Sequence, residues 1–405
     1  MRLPRSLLLG LLLTGCGDAR PADPTDRYGF LALLGNDTIS IESVTRYPDR
    51  FVSEEVDRFP VVKRRHTEVE LAPDGSPRRM DMRVHIPSAD TASRDRRIVA
   101  EFDPTQVKVT LTDGTGTHTK EMAAEGLLTI PHVPQMYSLL ELYFAAALER
   151  AAAESLPAGG KITAHQFYPD REFSNYPNPM HRGYVQPGPG GTAEIQHNWL
   201  AGTGAAVLDS NRRMLSYSGG RTTYQVQVSR LEGPVDVEAI GARFAATEQA
   251  QGRPSSLSVR DTVRAIIGTA NFTVDYGRPL ARGRTLLGDV IPYDYVWRTG
   301  ANEATQFSTS APVTLGGIAL EAGTYTLWTL PRRNGISLIV NRQIGQWGTG
   351  YGPGHDIGRT PLMTGTNAQP VEKFTISIEP VNARSGTLVL EWGPFRWTAP
   401  IEVGR

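Results

Sequence analysis

A single cysteine, Cys16, stands among 405 residues. No disulfide can form within the chain, so packing alone must hold the fold. Net charge is lacking too, because 42 basic residues balance 42 acidic ones. A nucleic-acid partner calls for a basic excess, and there is none. No apolar run approaches the ~20 residues that span a bilayer. Signatures of catalysis are missing as well. There is no Gly-x-Ser-x-Gly elbow and no His-Glu-x-x-His helix. Gly202-Thr203-Gly204 has no lysine where a phosphate loop needs one. Long helical patterns are scarce, whereas glycine (41) and proline (29) are plentiful. That balance points to a mainly β chain full of turns.

The N-terminus carries the first positive signal. Arg2 and Arg5 precede an apolar stretch from Leu7 to Leu13, closed by Leu13-Thr14-Gly15-Cys16. A charged start, a short apolar core and small residues before a cut site make a secretory signal. The four closing residues resemble the bacterial lipobox, whose cysteine is acylated before the chain is cut in front of it. The resemblance implies a signal peptide over residues 1–15, lipidation at Cys16 and a tether over 16–27. It also implies a lipid anchor on a membrane of the bacterial cell envelope, on its periplasmic or outer-membrane face. Without Arg2 and Arg5, 40 basic residues face 42 acidic ones, a net of −2.

Over 28–231 the pattern is mostly strand. Met80, Met82, Val84 and Ile86 alternate with polar residues, as do Val107, Val109 and Leu111, and Tyr224, Val226 and Val228. Period two with one polar face predicts antiparallel strands half exposed to water. The apolar face needs a cover, and residues 134–154 supply one. Leu139, Leu140, Tyr143, Phe144 and Ala147 make a helical stripe that Met136, Leu142 and Leu148 widen to most of the circumference. A helix this apolar is enclosed. An antiparallel sheet curled around one buried helix resembles the lipoprotein-carrier half-barrel architecture. Residues 176–191, rich in proline and glycine, read as a loop. Residues 232–256 read as a join holding a short helix from Val235 to Gln251.

The last region, 257–405, alternates again. Phe272, Val274 and Tyr276, then Tyr325 and Leu327, then Leu388, Leu390 and Trp392 mark strands, and Asn334-Gly335 is a strong hairpin turn. Short, evenly spaced strands predict a β-sandwich or jelly-roll-like domain. The region also carries Asn271-Phe272-Thr273-Val274-Asp275-Tyr276-Gly277-Arg278-Pro279, Trp297-Arg298-Thr299-Gly300-Ala301-Asn302-Glu303-Ala304-Thr305, Gly323-Thr324-Tyr325-Thr326-Leu327-Trp328 and Gln346-Trp347-Gly348 in order. In this it resembles the bacterial domain-of-unknown-function 2911 family. The resemblance implies no defined chemistry.

Candidate ligand-binding residues lie in the same stretch. Arg298 offers a planar fork for a carboxylate or phosphate. Asn302 and Glu303 add polar groups on the same turn, and Trp328 and Trp347 offer aromatic faces. His355 follows a glycine-rich loop and precedes Asp356. Such a set suits a small polar or carbohydrate ligand. A bland alternative is that Arg298 and Glu303 satisfy each other while the tryptophans are core. Arg278, Arg282 and Arg284 make either an anionic rim or ordinary turn arginines. His165, His181 and His197 fall at equal spacings of 16, but regular spacing arises by chance in a strand meander, and we expect neither metal nor cofactor. The reading is a two-domain envelope lipoprotein that binds a ligand or serves a structural role. A hydrolase with its site in the C-terminal region is the alternative.

Overall fold

The computed structural model describes residues 23–58, 61–157, 159–169, 180–196, 202–251 and 257–404. Cys16, the expected signal peptide, His197 and most of the expected tether lie outside them. The described chain is mainly β, with several sheets and no closed barrel. No helix among the described residues is long and apolar enough to cross a membrane.

Fifteen described strands form the first sheet. From the edge strand Gly116–Ala123 they run backwards in sequence to Asp26–Leu34. That strand pairs with Gln227–Glu232, and the order then steps back to Thr129–Pro131 at the far edge. The two longest alternating patterns of this region become the strands Pro77–His85 and Gln106–Asp113, with Met80, Met82, Val107 and Val109 buried. Tyr224 lies just before its strand rather than in it. Residues 180–187, expected as loop, are a strand, because Tyr184 and Val185 pair across to Gln196 and Ile195.

Helix α1 (Tyr137–Ala153) is enclosed as its sequence predicts, with Leu139, Leu142, Tyr143 and Phe144 at most 2% exposed. Its place follows from one exception to the antiparallel rule. Thr129–Pro131 pairs in parallel with Ile162–Phe167, and α1 is the crossover between them. A parallel pair needs such a connection, and the helix must pack on the sheet it bridges.

The helix starts later than its apolar pattern suggests. Met136 is the N-cap residue and makes no side-chain cap, and the first turn holds no acid. Pro134 lies outside. The cap comes from the sheet instead. Glu42, on the strand Asp37–Arg46, accepts from the Tyr137 amide at 2.8 Å and the Ser138 amide at 2.9 Å, and from the hydroxyls of Ser138 and Ser53. A carboxylate at a helix N-terminus answers both the orphan amides and the helix dipole. Burial raises the Glu42 carboxyl above its ordinary range, against the pull of those hydrogen bonds. Glu141, one turn further, accepts from the Tyr28 hydroxyl, the Met214 amide (2.8 Å) and Arg230 (3.0 Å). Two buried glutamates therefore pin the helix. Beside Glu42, Arg65 joins Glu55 (2.7 Å) and Asp57 (2.6 Å) in the same interior.

The opposite face of the sheet carries α2 (Val237–Gln251), whose Phe244 packs with Ile41, Val56 and Val62. Beyond it lie a six-stranded and a four-stranded sheet. They share one core, in which Phe272, Phe307, Leu327, Phe374, Leu390 and Trp392 are all buried. This is the sandwich its alternation predicts. The hairpin at Asn334–Gly335 is present, joining Gly323–Arg332 to Gly335–Asn341.

The three turn arginines prove to be neither rim nor solvated. Arg278 bonds Asp261 (2.8 Å), Thr375 (2.8 Å) and the Phe374 carbonyl (3.0 Å). Arg284 caps two carbonyls of its own turn. Arg282 is 6% exposed and reaches across to Asp37 at 2.8 Å, while its carbonyl accepts from the Asn36 amide. It ties the sandwich to the first sheet.

Candidate functional site

The Trp297–Thr305 run crosses the outer face of the six-stranded sheet as a strained loop. Thr299 (φ +51°) and Asn302 (φ +63°) both sit in the left-handed region. For a β-branched residue this is an outlier that costs about 1–3 kcal/mol. The surroundings hold Thr299 there. It is fully buried, its hydroxyl donates to Thr329 Oγ1, and its carbonyl accepts from the Thr305 hydroxyl at 2.7 Å. Gly277 lets the loop lie down on the strand Ala270–Pro279. A Cβ at 277 would stand 2.1 Å from the Ala301 carbonyl oxygen.

A second loop, 342–356, meets the first. The Gly348 amide donates to the Asn302 carbonyl (2.9 Å) and the Ala304 amide to the Gln346 carbonyl (3.1 Å). The approach is so close that a Cβ at 348 would fall 2.2 Å from Arg298 Cδ. Arg298 is thus sandwiched along its stem. Its guanidinium makes one long contact, Nη1 to the Asn302 carbonyl at 3.5 Å. It has no carboxylate partner among the described residues. Desolvation by burial lowers its pKa, though an arginine stays charged at any ordinary pH. The overall accessibility of the residue is intermediate, so the group is shielded yet reachable.

The expected pairing of Arg298 with Glu303 does not form. Glu303 takes Arg260 instead, at 2.9 Å. The reason is register: Arg260 lies on the strand Ser258–Ile267, and Asp275, on the neighbouring strand, is its other partner at 2.9 Å. Asn302 contributes its backbone carbonyl and is exposed. Trp328 is no floor for a ligand. It is fully buried, donates Nε1–H to Thr326 Oγ1 (3.0 Å) and packs against Tyr351. Trp297 stacks on Trp392 at 5.6 Å, facing the sandwich core. Trp347 remains open, 54% exposed. Beside it the structure adds Gln346, missed in the sequence, whose buried Oε1 has no hydrogen-bond partner while its Nε2 donates to Thr326.

His355 lies apart from this group in its hydrogen bonds. It is exposed at the end of the turn Pro353–His355. Asp356 bonds Tyr351 (2.7 Å), Asn341 (2.9 Å) and Arg359 (2.8 Å) rather than His355. Burial, with hydrogen bonding to Asp356, pushes the Tyr351 hydroxyl up to about 12. This cluster locks the 342–356 loop, which in turn holds Trp347 and Gln346 in place.

Both loops and their glycines lie within a stretch that matches a known family. Residues 258–401 match the DUF2911 family, described as a protein of unknown function. Two solved structures are similar over part of the chain. A DUF1089 family protein from Pseudomonas aeruginosa aligns with 46% of this chain and 93% of its own, at 14% identity and a TM-score of 0.34. A beta-barrel-like protein of domain of unknown function DUF1849 from Brucella abortus aligns with 52% and 97%, at 10% identity and 0.31. No curated relative matches the sequence.

Proposed function

We propose that this protein is an envelope-anchored lipoprotein whose C-terminal region binds a small polar or anionic ligand at Arg298. One observation carries the binding half: a shielded guanidinium with no carboxylate to neutralise it. Burying a charge without a partner is costly, and a bound anion would remove that cost. The open ring of Trp347 and the unpaired Gln346 Oε1 supply an aromatic face and an acceptor, the pairing that suits a carboxylated or acidic sugar. The anchoring half rests on Leu13-Thr14-Gly15-Cys16.

The test is a panel of neutral sugars, sugar acids and small carboxylates in thermal unfolding of the mature chain. The reading expects stabilisation by an acidic member. It expects Arg298→Ala to weaken binding by roughly tenfold or more, since a charge-assisted contact is worth about 1.5–3 kcal/mol. If no acidic compound stabilises the protein, or Arg298→Ala binds as well as wild type, the reading fails. Anchoring is checked by intact mass, which should show acyl chains on a chain beginning at Cys16.

A further inference from the structure

A second group of cations lies far from Arg298 in sequence, on the face of the first sheet turned away from α1. Five neighbouring strands bring Glu54, His66, Arg83, Arg97 and Thr112 into one cross-strand row. Arg83 stands directly opposite Arg97 on one side and His66 on the other. Like charges placed so, with Cβ atoms about 5 Å apart, repel and destabilise a sheet.

Most members of the row have answers to this. His66 contacts Glu54, and Arg97 makes two bonds to Asp81, at 2.9 and 2.6 Å. The Arg97 bond, seconded by Arg79, holds the Asp81 carboxyl down at about 2. In the next row His85 contacts Asp95 at 2.7 Å, and Arg64 turns to Glu238 on α2. Arg83 has no answer. It is exposed and makes no hydrogen bond or ion pair among the described residues.

Glu54, Arg64, His66, Arg83, His85 and Arg97 line a groove of about 580 Å³, within the size range of small-molecule sites. It has walls. Arg64, held by Glu238 on α2, stands on one side. On the other, the Gly114 amide ties the 113–114 turn to the Ala92 carbonyl at 2.9 Å, beside Thr91. A groove between Arg64 and the 113–114 turn suits a small ligand better than the plane of a bilayer. We propose that this groove binds a soluble, multiply charged phosphate compound, with the Arg83 fork on its oxygens. A phosphate there would turn the Arg83–Arg97 repulsion into a shared contact.

Pyrophosphate is the probe, titrated calorimetrically into the mature chain at low and then moderate salt. Binding is expected, weaker at higher salt. Arg83→Ala should weaken it by about tenfold or more. Because Arg83 supports no other residue, the ligand-free melting temperature of the variant should be unchanged or higher. Arg298→Ala should leave the Arg83-dependent binding of pyrophosphate in place, which separates this groove from the C-terminal site. Absence of binding, equal binding by Arg83→Ala, or loss through Arg298→Ala alone would each overturn the proposal. So would Arg83-dependent capture by phosphatidylglycerol vesicles without any response to pyrophosphate, since that would make the face a headgroup surface.

Discussion

The two halves of this molecule bury charge in opposite ways. In the first, Glu42 and Glu141 lie deep under the sheet, and each collects several donors from elements remote in sequence. In the second, Arg298 is shielded between two loops and collects one weak backbone contact. A buried charge saturated with partners is a structural clamp, and its loss should be felt as instability. A shielded but reachable charge left without a carboxylate is free to meet a ligand, and its loss should not weaken the fold. The same contrast recurs among the arginines of the sandwich, where Arg278 and Arg282 are saturated and Arg298 is not.

The contrast can be broken most forcefully in the first half. Phe144→Ala should cost about 3–5 kcal/mol in urea unfolding, because the ring is fully enclosed and a cavity would remain. A loss below about 1 kcal/mol would mean that the sheet closes over the gap, or that the helix is not held as described. Glu42→Ala should cost about 3 kcal/mol, since it strands two amides and two hydroxyls in the interior. Glu42→Gln keeps an acceptor for the amides and should restore most of that loss; equal damage from both variants would mean that the cap is not what Glu42 provides.

The buried acids also set a pH dependence. Burial pushes Glu55 well above the ordinary carboxyl range, with Arg65 opposing and Asp57 adding to the rise. A carboxyl whose folded pKa is raised holds its proton more tightly in the fold than in the unfolded chain. Its contribution is fully present below the unfolded value and is lost as pH rises through the folded one. Stability should therefore fall as pH rises above the ordinary carboxyl range, and Glu55→Gln should make that slope shallower. An unchanged slope would remove Glu55 from the account. At the small end, Gly348→Ala should cost about 1–3 kcal/mol through the clash with the Asn302 carbonyl, and it should disturb ligand binding at Arg298 as well.

Much of the fold was legible from local pattern. Alternation located the strands, the near-circumferential stripe located α1, and Asn334-Gly335 located its hairpin. What stayed hidden depends on register between distant segments. Glu42 is 95 residues from the amide of Tyr137 that it caps, and no spacing rule connects them. The Glu303 partner is 43 residues upstream. Trp328 and Trp347 look alike in sequence, yet one lies in the sheet's packed layer and the other at a loop tip. Arg298 itself was legible as a fork on a glycine-containing turn. That it lacks a carboxylate could be learned only once Arg260 was seen to take Glu303.

If Arg298 serves a ligand, its guanidinium contributes nothing to holding the fold. Equilibrium urea unfolding of Arg298→Met tests it directly, since methionine keeps most of the stem packing under Gly348 and removes only the guanidinium. Relief from burying an unpartnered charge should leave the ligand-free protein as stable as wild type or more so. A loss of about 2 kcal/mol or more, of the size expected for a clamp such as Glu42, would contradict it and return Arg298 to a structural role.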